Sequence, residues 1–220
     1  MKDRGLARYA PLTGVAFVLL IVLAVIIGGE SPDPDDSRLS VVRFWTDNDT
    51  EQIWSSAIAA WSSVFFVWFA GSLRSVLRER EGGSARLSAL SFAGAIIAAG
   101  GLLALASLGF AAADTAGDVP GDVTQTLSVL GSEFFFPVAG GYALFLLAAG
   151  ILAVRTAVLP IWLGWSAIVL GILCITPVGF FALLVGLVWL IVVSILLYRR
   201  EAGPADRPAP AAPAAPTPAA

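Results

Sequence analysis

Six long apolar segments dominate the chain and constrain its fold more than any other feature. They cover residues 10–28, 53–73, 87–113, 134–154, 157–176 and 178–198. A helix needs about 20 mostly apolar residues to cross about 30 Å of hydrocarbon, and each segment meets this length. The chain is therefore predicted to be an all-α, polytopic transmembrane helical bundle with six membrane-spanning helices.

The last two segments form one apolar run that Pro177 and Gly179 interrupt. A single helix over 157–198 would be about 60 Å long, twice the thickness of the hydrocarbon. Proline blocks the continuation of a helix, and glycine permits unusual dihedral angles. We therefore predict two helices joined by a tight turn.

Composition indicates that lipid is the solvent for most of the chain. Hydrophobic residues make up 58% of the sequence and charged residues only 13%, whereas a soluble domain usually carries about 25% charged residues. There is no histidine, and Cys174 is the single cysteine. This excludes histidine-ligated metals, histidine general-base catalysis and an intramolecular disulfide. We predict no cofactor, no metal site and no catalytic residue.

The charges between the segments predict an orientation. If the N-terminus is cytoplasmic, the outward-facing parts of the chain carry only Arg38 and Arg43, together with many acidic residues. The inward-facing basic residues are Lys2, Arg4, Arg8, Arg74, Arg78, Arg80, Arg86, Arg155, Arg199, Arg200 and Arg207. Short cytoplasmic loops carry an excess of lysine and arginine. The sequence therefore predicts a plasma-membrane protein with both termini in the cytoplasm.

Outside the six segments, two stretches have a predictable character. Leu39, Val42 and Trp45 recur at helical spacing, which favours a short amphipathic helix over 37–45 in the outer interface. Residues 202–220 are rich in alanine and proline and have almost no bulky apolar side chain. We expect them to form a disordered cytoplasmic tail after a membrane domain over 1–201.

A tryptophan stripe on the second segment is the first candidate ligand-binding surface. Trp54, Trp61 and Trp68 recur every seven residues, and the small residues Ala59 and Ser63 lie on the opposite side. Small residues let helices approach closely, so they predict the packed face. The stripe would then face lipid, a neighbouring subunit or an aromatic-lined cavity. Because membrane tryptophans usually lie at the interfaces, those at mid-depth keep the cavity interpretation open.

Glu133 and Pro137 form a second candidate at the start of the fourth segment. Pro137 removes one helical hydrogen bond and frees the carbonyl near Glu133, which predicts a kink. An acidic group in an apolar setting binds a proton or a cation more readily. The alternative is that Glu133 lies at headgroup level, where the positive end of the helix dipole favours its charge.

Glycines recur every seven residues in the last two segments. Gly164 and Gly171 form one pair, and Gly179 and Gly186 form the other. Glycine allows close helix contact in membranes, so we predict that the last two helices pack against each other through these residues.

Several short motifs together resemble a family of uncharacterised bacterial integral membrane proteins with six helices. They are Leu12-Thr-Gly14, Trp68-Phe-Ala-Gly-Ser-Leu-Arg74, Arg86-Leu-Ser-Ala-Leu-Ser-Phe-Ala-Gly94, Phe136-Pro137 and Trp162-Leu-Gly-Trp165. The resemblance covers residues 6–198 and leaves the tail outside. It implies the six-helix architecture and carries no reaction with it.

Three function classes remain open. The first is a non-enzymatic protein that packs with itself or with another membrane protein, and small-residue faces favour it. The second is a small permease or a lipophile-binding protein that uses the tryptophan stripe and Glu133. The third is a membrane enzyme, which the missing histidine, phosphate loop and paired carboxylates disfavour. Lipid is the expected partner, and nucleic acid is not.

Overall fold

A computed structural model describes residues 9–33 and 35–202, in which all regular structure is helical and no strand occurs. The prediction of an all-α chain is therefore confirmed for these residues. Lys2, Arg4 and Arg8, and the tail after Ala202 with Arg207, lie outside the described residues. After a short 3-10 turn at Ala10–Leu12, the helices are α1 (Thr13–Gly28), α2 (Arg38–Asp47), α3 (Asp49–Glu81), α4 (Arg86–Thr115), α5 (Gly121–Glu133), α6 (Phe135–Thr156), α7 (Ile161–Leu173) and α8 (Gly179–Ala202).

Five helical stretches among the described residues are long and apolar enough to cross a membrane, as expected of a multi-pass membrane protein. They are Ala10–Gly28, Asp49–Glu81, Arg86–Thr115, Gly121–Thr156 and Gly179–Arg200. The sixth predicted crossing, over 157–176, is not confirmed, because its helix α7 has only 13 residues and rises about 20 Å. Pro160 precedes the first turn of α7, and the chain turns after Leu173.

The six apolar helices form a closed ring in the order α1, α3, α4, α6, α7 and α8, with α8 returning to α1. Neighbouring helices run in opposite directions, so the bundle has two ends. At the basic end, which contains residues 74–86, 155–160 and 198–200, the ring of Tyr9 stacks on that of Tyr198. At the acidic end, which contains residues 29–49, 114–134 and 174–179, Phe135 packs near Phe180.

Helices α4 and α6 make the closest contact in the ring. A Cβ atom added at Gly94 would lie 2.7 Å from the carbonyl oxygen of Gly141, and one added at Gly101 would lie 2.8 Å from the main-chain nitrogen of Val138. The hydroxyl of Ser91 donates a hydrogen bond across the same contact to the carbonyl oxygen of Phe145 at 3.1 Å. Glycine is therefore required here to let the two backbones meet.

The glycines of the last two helices pack differently from the prediction. Gly164 lies against Gly150 and Val154, Gly171 lies against Leu147, and Gly186 lies against the ring of Tyr142. All four partners belong to α6, and Gly179 lies against the main chain of Cys174 in the preceding turn, so the prediction that these glycines join α7 to α8 is wrong. The reason is that α6 contacts both helices and presents mostly small buried residues.

Two amphipathic helices, α2 and α5, cover the acidic end and pack against each other. The side chain of Ser37 caps α2 by accepting the N–H of Ser40 at 3.2 Å, and Val41 and Trp45 are buried beneath the helix. Arg38 and Asp122 form an exposed ion pair at 2.9 Å between the two helices. The helix predicted over 37–45 is thus present, whereas α5 has no counterpart in the sequence predictions.

Candidate functional site

Helices α1 and α8 touch at the basic end and separate toward the acidic end. Near the basic end, Gly14 leaves no room for a side chain between Ser194 and Phe69. Toward the acidic end, both helices line an open cleft of about 440 Å³, into which α1 contributes Val22 and Val25. This divergence of the two helices opens the cleft.

Residues of α1, α3, α4, α6 and α8 line this space, the apolar cleft. Phe66, Ala98 and Tyr142 lie on its inner side, and Val22 and Leu184 on its rim are 43% and 47% exposed. The further lining residues are Phe17, Ile21, Val25, Ile26, Leu102, Leu105, Phe135, Val138, Phe180, Leu183 and Leu187. Its wall is almost entirely hydrocarbon, so the cleft suits an apolar ligand and disfavours any charge.

An aromatic cluster closes the inner side of the apolar cleft. The rings of Phe17 and Phe66 stack with centroids 4.8 Å apart, and Phe66 meets Phe145 edge to face at 5.4 Å. Phe145 in turn packs against Trp189 of α8 at 6.1 Å. Because these four rings come from four different helices, they hold the cleft's inner wall in one shape.

Tyr142 is the one polar side chain of the apolar cleft. It is only 4% exposed, and among the described residues its hydroxyl has no hydrogen-bond partner. The hydroxyl lies against α8, where a Cβ atom at Gly186 would be 2.7 Å from it. An unpaired buried hydroxyl costs stability, so the Tyr142 hydroxyl is an unsatisfied hydrogen-bonding group in the wall of the cleft.

A second space, the polar cleft, adjoins the apolar cleft at the acidic end. It has a volume of about 330 Å³ and shares four wall residues with the apolar cleft. These shared residues are Ile21, Val25, Leu102 and Leu105. The two clefts are therefore adjacent spaces whose walls share these four side chains.

Uncharged hydrogen-bonding groups line the polar cleft. They belong to Ser31, Trp45, Gln52, Ser55, Ser56, Ser128 and Ser132, and no ionisable side chain contributes to the wall. Gln52 Nε2 donates to the carbonyl oxygen of Gly28 at 2.5 Å, and Ser55 Oγ donates to that of Ala24 at 2.8 Å. These bonds satisfy carbonyls at the end of α1 and fix the wall between α1 and α3.

Trp45 brings an unused donor to the polar cleft. Its side chain is buried beneath α2 among Ala112, Ala113 and Ala116, and it also lines the cleft. Its indole Nε1 is buried without a hydrogen-bond partner among the described residues. Buried indole N–H groups usually have a partner, so this donor is an unsatisfied polar group beside the polar cleft.

The tryptophan stripe lies on the outer surface of α3. Trp54, Trp61 and Trp68 are 62%, 66% and 62% exposed, whereas Ala59 and Ser63 on the opposite face are buried. The same opposite face carries the residues of α3 that line the polar cleft. The structure therefore does not bring the stripe together with either cleft, and its ligand-binding role stays a prediction.

Glu133 and Pro137 lie on either side of a helix break. Glu133 is the last residue of α5, α6 begins at Phe135, and Pro137 is in the first turn of α6. Glu133 is exposed, and its neighbour Ser132 lines the polar cleft. The missing N–H of Pro137 accounts for a break at this point, and the ligand-binding role of Glu133 stays a prediction.

Sequence reasoning missed the residues that form the two clefts. Phe17, Phe66 and Tyr142 read as ordinary apolar residues in their segments, and they meet only because helices distant in sequence pack together. Gln52 carried a usable signal, because it is a polar residue at the edge of an apolar segment. Comparisons with protein-family models, curated proteins and solved structures found no match to this chain.

Proposed function

We propose that the chain is a plasma-membrane protein that crosses the bilayer six times, with both termini in the cytoplasm and the acidic end outside. Contacts made on either side of α7 support the sixth crossing. Arg200 donates to the carbonyl oxygen of Val158 just before α7, and Phe180 packs near Phe135 just after it. These contacts lie at opposite ends of the bundle, which favours a crossing of the bilayer between them.

We propose that this protein binds a lipophilic ligand in the apolar cleft. The observation that carries this proposal is the open space of about 440 Å³ with an almost wholly apolar wall. Small-molecule sites usually measure roughly 300–1,000 Å³. The rim residues Val22 and Leu184 are continuous with the lipid-facing surfaces of α1 and α8, so an alkyl chain enters directly from the hydrocarbon.

The polar cleft indicates what kind of headgroup the ligand carries. Its wall offers serine hydroxyls, Gln52 and the unpaired indole N–H of Trp45, and it has no charge. A buried charge without a partner is costly, so the headgroup is expected to be small, uncharged and rich in hydrogen-bonding oxygens. The ligand class is therefore an amphiphile with an alkyl chain in one cleft and a neutral headgroup in the other.

A second candidate function is packing or interaction with another membrane protein, without catalysis. The three rings of the tryptophan stripe are each more than 60% exposed, and their seven-residue spacing lets two copies of α3 face each other. This candidate commits to a second copy of the chain as the partner. This candidate is supported mainly by the spacing of the tryptophans in the sequence. The resemblance to the six-helix bacterial family is likewise supported by sequence motifs.

Native mass spectrometry of the protein released from lipid nanodiscs separates the two candidates. The lipophile-binding function predicts a monomer or oligomer that retains one small amphiphile per chain. The interaction function predicts a ligand-free oligomer that Trp61→Ala converts to a monomer, whereas Val188→Ala, at an exposed position of α8, leaves it intact. A ligand-free monomer would contradict both candidates.

A further inference from the structure

A basic pocket lies between α3 and α4 at the end of the bundle opposite to the two clefts. It measures about 490 Å³, and its lining residues are Gly71, Arg74, Ser75, Arg78, Glu79 and Phe92. Arg74 and Arg78 are four residues apart in one helix, so they lie one above the other on the same face. Both arginine side chains therefore line the same pocket.

Arg74 is held in this pocket without a polar partner. Its guanidinium carbon lies 5.2 Å from the centre of the Phe92 ring, a cation–π geometry. Its Nε is buried and has no hydrogen-bond partner among the described residues. A buried charged donor left unpaired costs more than a neutral one, so an anionic ligand would remove an existing penalty.

No carboxylate among the described residues forms a salt bridge with Arg74 or Arg78. The ion pair between Arg38 and Asp122 is the only salt bridge in the part of the chain that the structure describes. Glu81, at the end of α3, instead accepts the main-chain N–H groups of Leu87 and Ser88 at 2.6 and 2.9 Å. Both arginines of the pocket thus remain available to a ligand.

The charge of the pocket selects the class of anion. Arg74 and Arg78 contribute two positive charges and Glu79 contributes one negative charge, so the pocket has a net charge of one. The hydroxyl of Ser75 donates its proton to the carbonyl oxygen of Gly71 at 3.1 Å. It therefore has no proton left to donate to an anion in the pocket. A phosphate that carries a single negative charge matches this balance better than a dianion does.

The position of the pocket selects the source of the phosphate. Trp68 is exposed on α3 and lies about 9 Å along the helix from Arg74, so the arginines follow directly after a lipid-facing surface. Basic pockets between membrane helices bind phospholipid headgroups. We propose that Arg74 and Arg78 together bind the phosphodiester of a singly anionic phospholipid, independently of the ligand in the two clefts.

The experiment compares lipids retained by the full chain after release from nanodiscs of mixed phosphatidylglycerol and phosphatidylcholine. Native mass spectrometry counts each lipid on the wild type and on the variants Arg74→Gln and Arg78→Gln. The matched control is Arg80→Gln, which removes an exposed arginine of the same helix that does not line the pocket. We expect retention of phosphatidylglycerol to fall about tenfold in both pocket variants and to stay unchanged in the control.

Three outcomes would overturn the proposal. They are equal retention of the two lipids by the wild type, equal losses in all three variants, and displacement of phosphatidylglycerol by millimolar inorganic phosphate. The last outcome would indicate a site for free phosphate. Arg78 is exposed, so its variant is expected to fold even if Arg74→Gln disturbs the contact with Phe92.

Discussion

The indole Nε1 of Trp189 in α8 donates a hydrogen bond to the carbonyl oxygen of Leu163 in α7, at 3.0 Å. Trp189 is buried, and its ring also packs against Phe145 of α6. One side chain thus joins three helices of the ring. Because α7 is the shortest of the six apolar helices, this bond is an important part of what holds it in place.

Replacing Trp189 by phenylalanine is expected to lower the free energy of unfolding by about 0.5–1.5 kcal/mol, since one hydrogen bond between α7 and α8 is lost while Ser166 still donates to the carbonyl of Leu163. Thermal unfolding in detergent measures the change. The matched control is Trp162→Phe in α7, whose ring is exposed, and its midpoint is expected to stay close to that of the wild type. Equal midpoints for all three proteins would show that the bond contributes nothing.

The glycine contact between α4 and α6 provides a second stability test. Gly94→Ala places a Cβ atom against the backbone of Gly141 and Phe145, and overpacking of this kind costs about 1–3 kcal/mol. Gly100→Ala lies in the same helix with no atom within 4 Å of the added group, and it is expected to change stability by less than about 1 kcal/mol. A Gly94→Ala protein that unfolds at the wild-type temperature would contradict the close contact.

The proposed topology is tested with truncated fusions to a reporter enzyme that is active only outside the cytoplasm. Fusions after Gly117 and after Thr176 are expected to be active, and a fusion after Gly83 inactive, because both active positions lie at the acidic end. An inactive fusion after Thr176 would show that α7 does not cross. The reverse pattern at Gly83 and Gly117 would show that the orientation is inverted.

Trp45→Phe separates a ligand-binding role from a structural one. The indole N–H has no partner among the described residues, so its removal is expected to leave the unfolding temperature unchanged or slightly raised. Retention of the proposed amphiphile is expected to fall about tenfold, since one hydrogen bond to the headgroup is lost. Unchanged retention would mean that the headgroup does not reach Trp45.

Most of the helical architecture could be predicted from the sequence, because hydropathy directly records which residues can lie in lipid. The amphipathic spacing around Trp45 likewise predicted α2. Hydropathy could not locate the ends of α7, because Pro160 and the turn after Leu173 shorten the helix inside an apolar run. It also gave no signal for α5, whose first turns are polar.

The candidate site could not be predicted in the same way. The tryptophan stripe is visible in the sequence because its spacing lies within one helix, and the structure places it on an exposed face. The apolar cleft exists because α1 and α8 diverge, and residues as distant as Val22 and Leu184 share it. Such a space depends on how the helices cross, which a single sequence does not record.

The central claim, that an amphiphile binds in the apolar cleft, is tested most directly by two tryptophan substitutions in α8. Leu184→Trp enlarges a residue that lines the cleft, whereas Val188→Trp enlarges an exposed residue one turn away that does not. Native mass spectrometry after release from nanodiscs then counts the retained amphiphile. The account predicts one per chain in the wild type and in Val188→Trp and almost none in Leu184→Trp. Equal retention by both variants would contradict it.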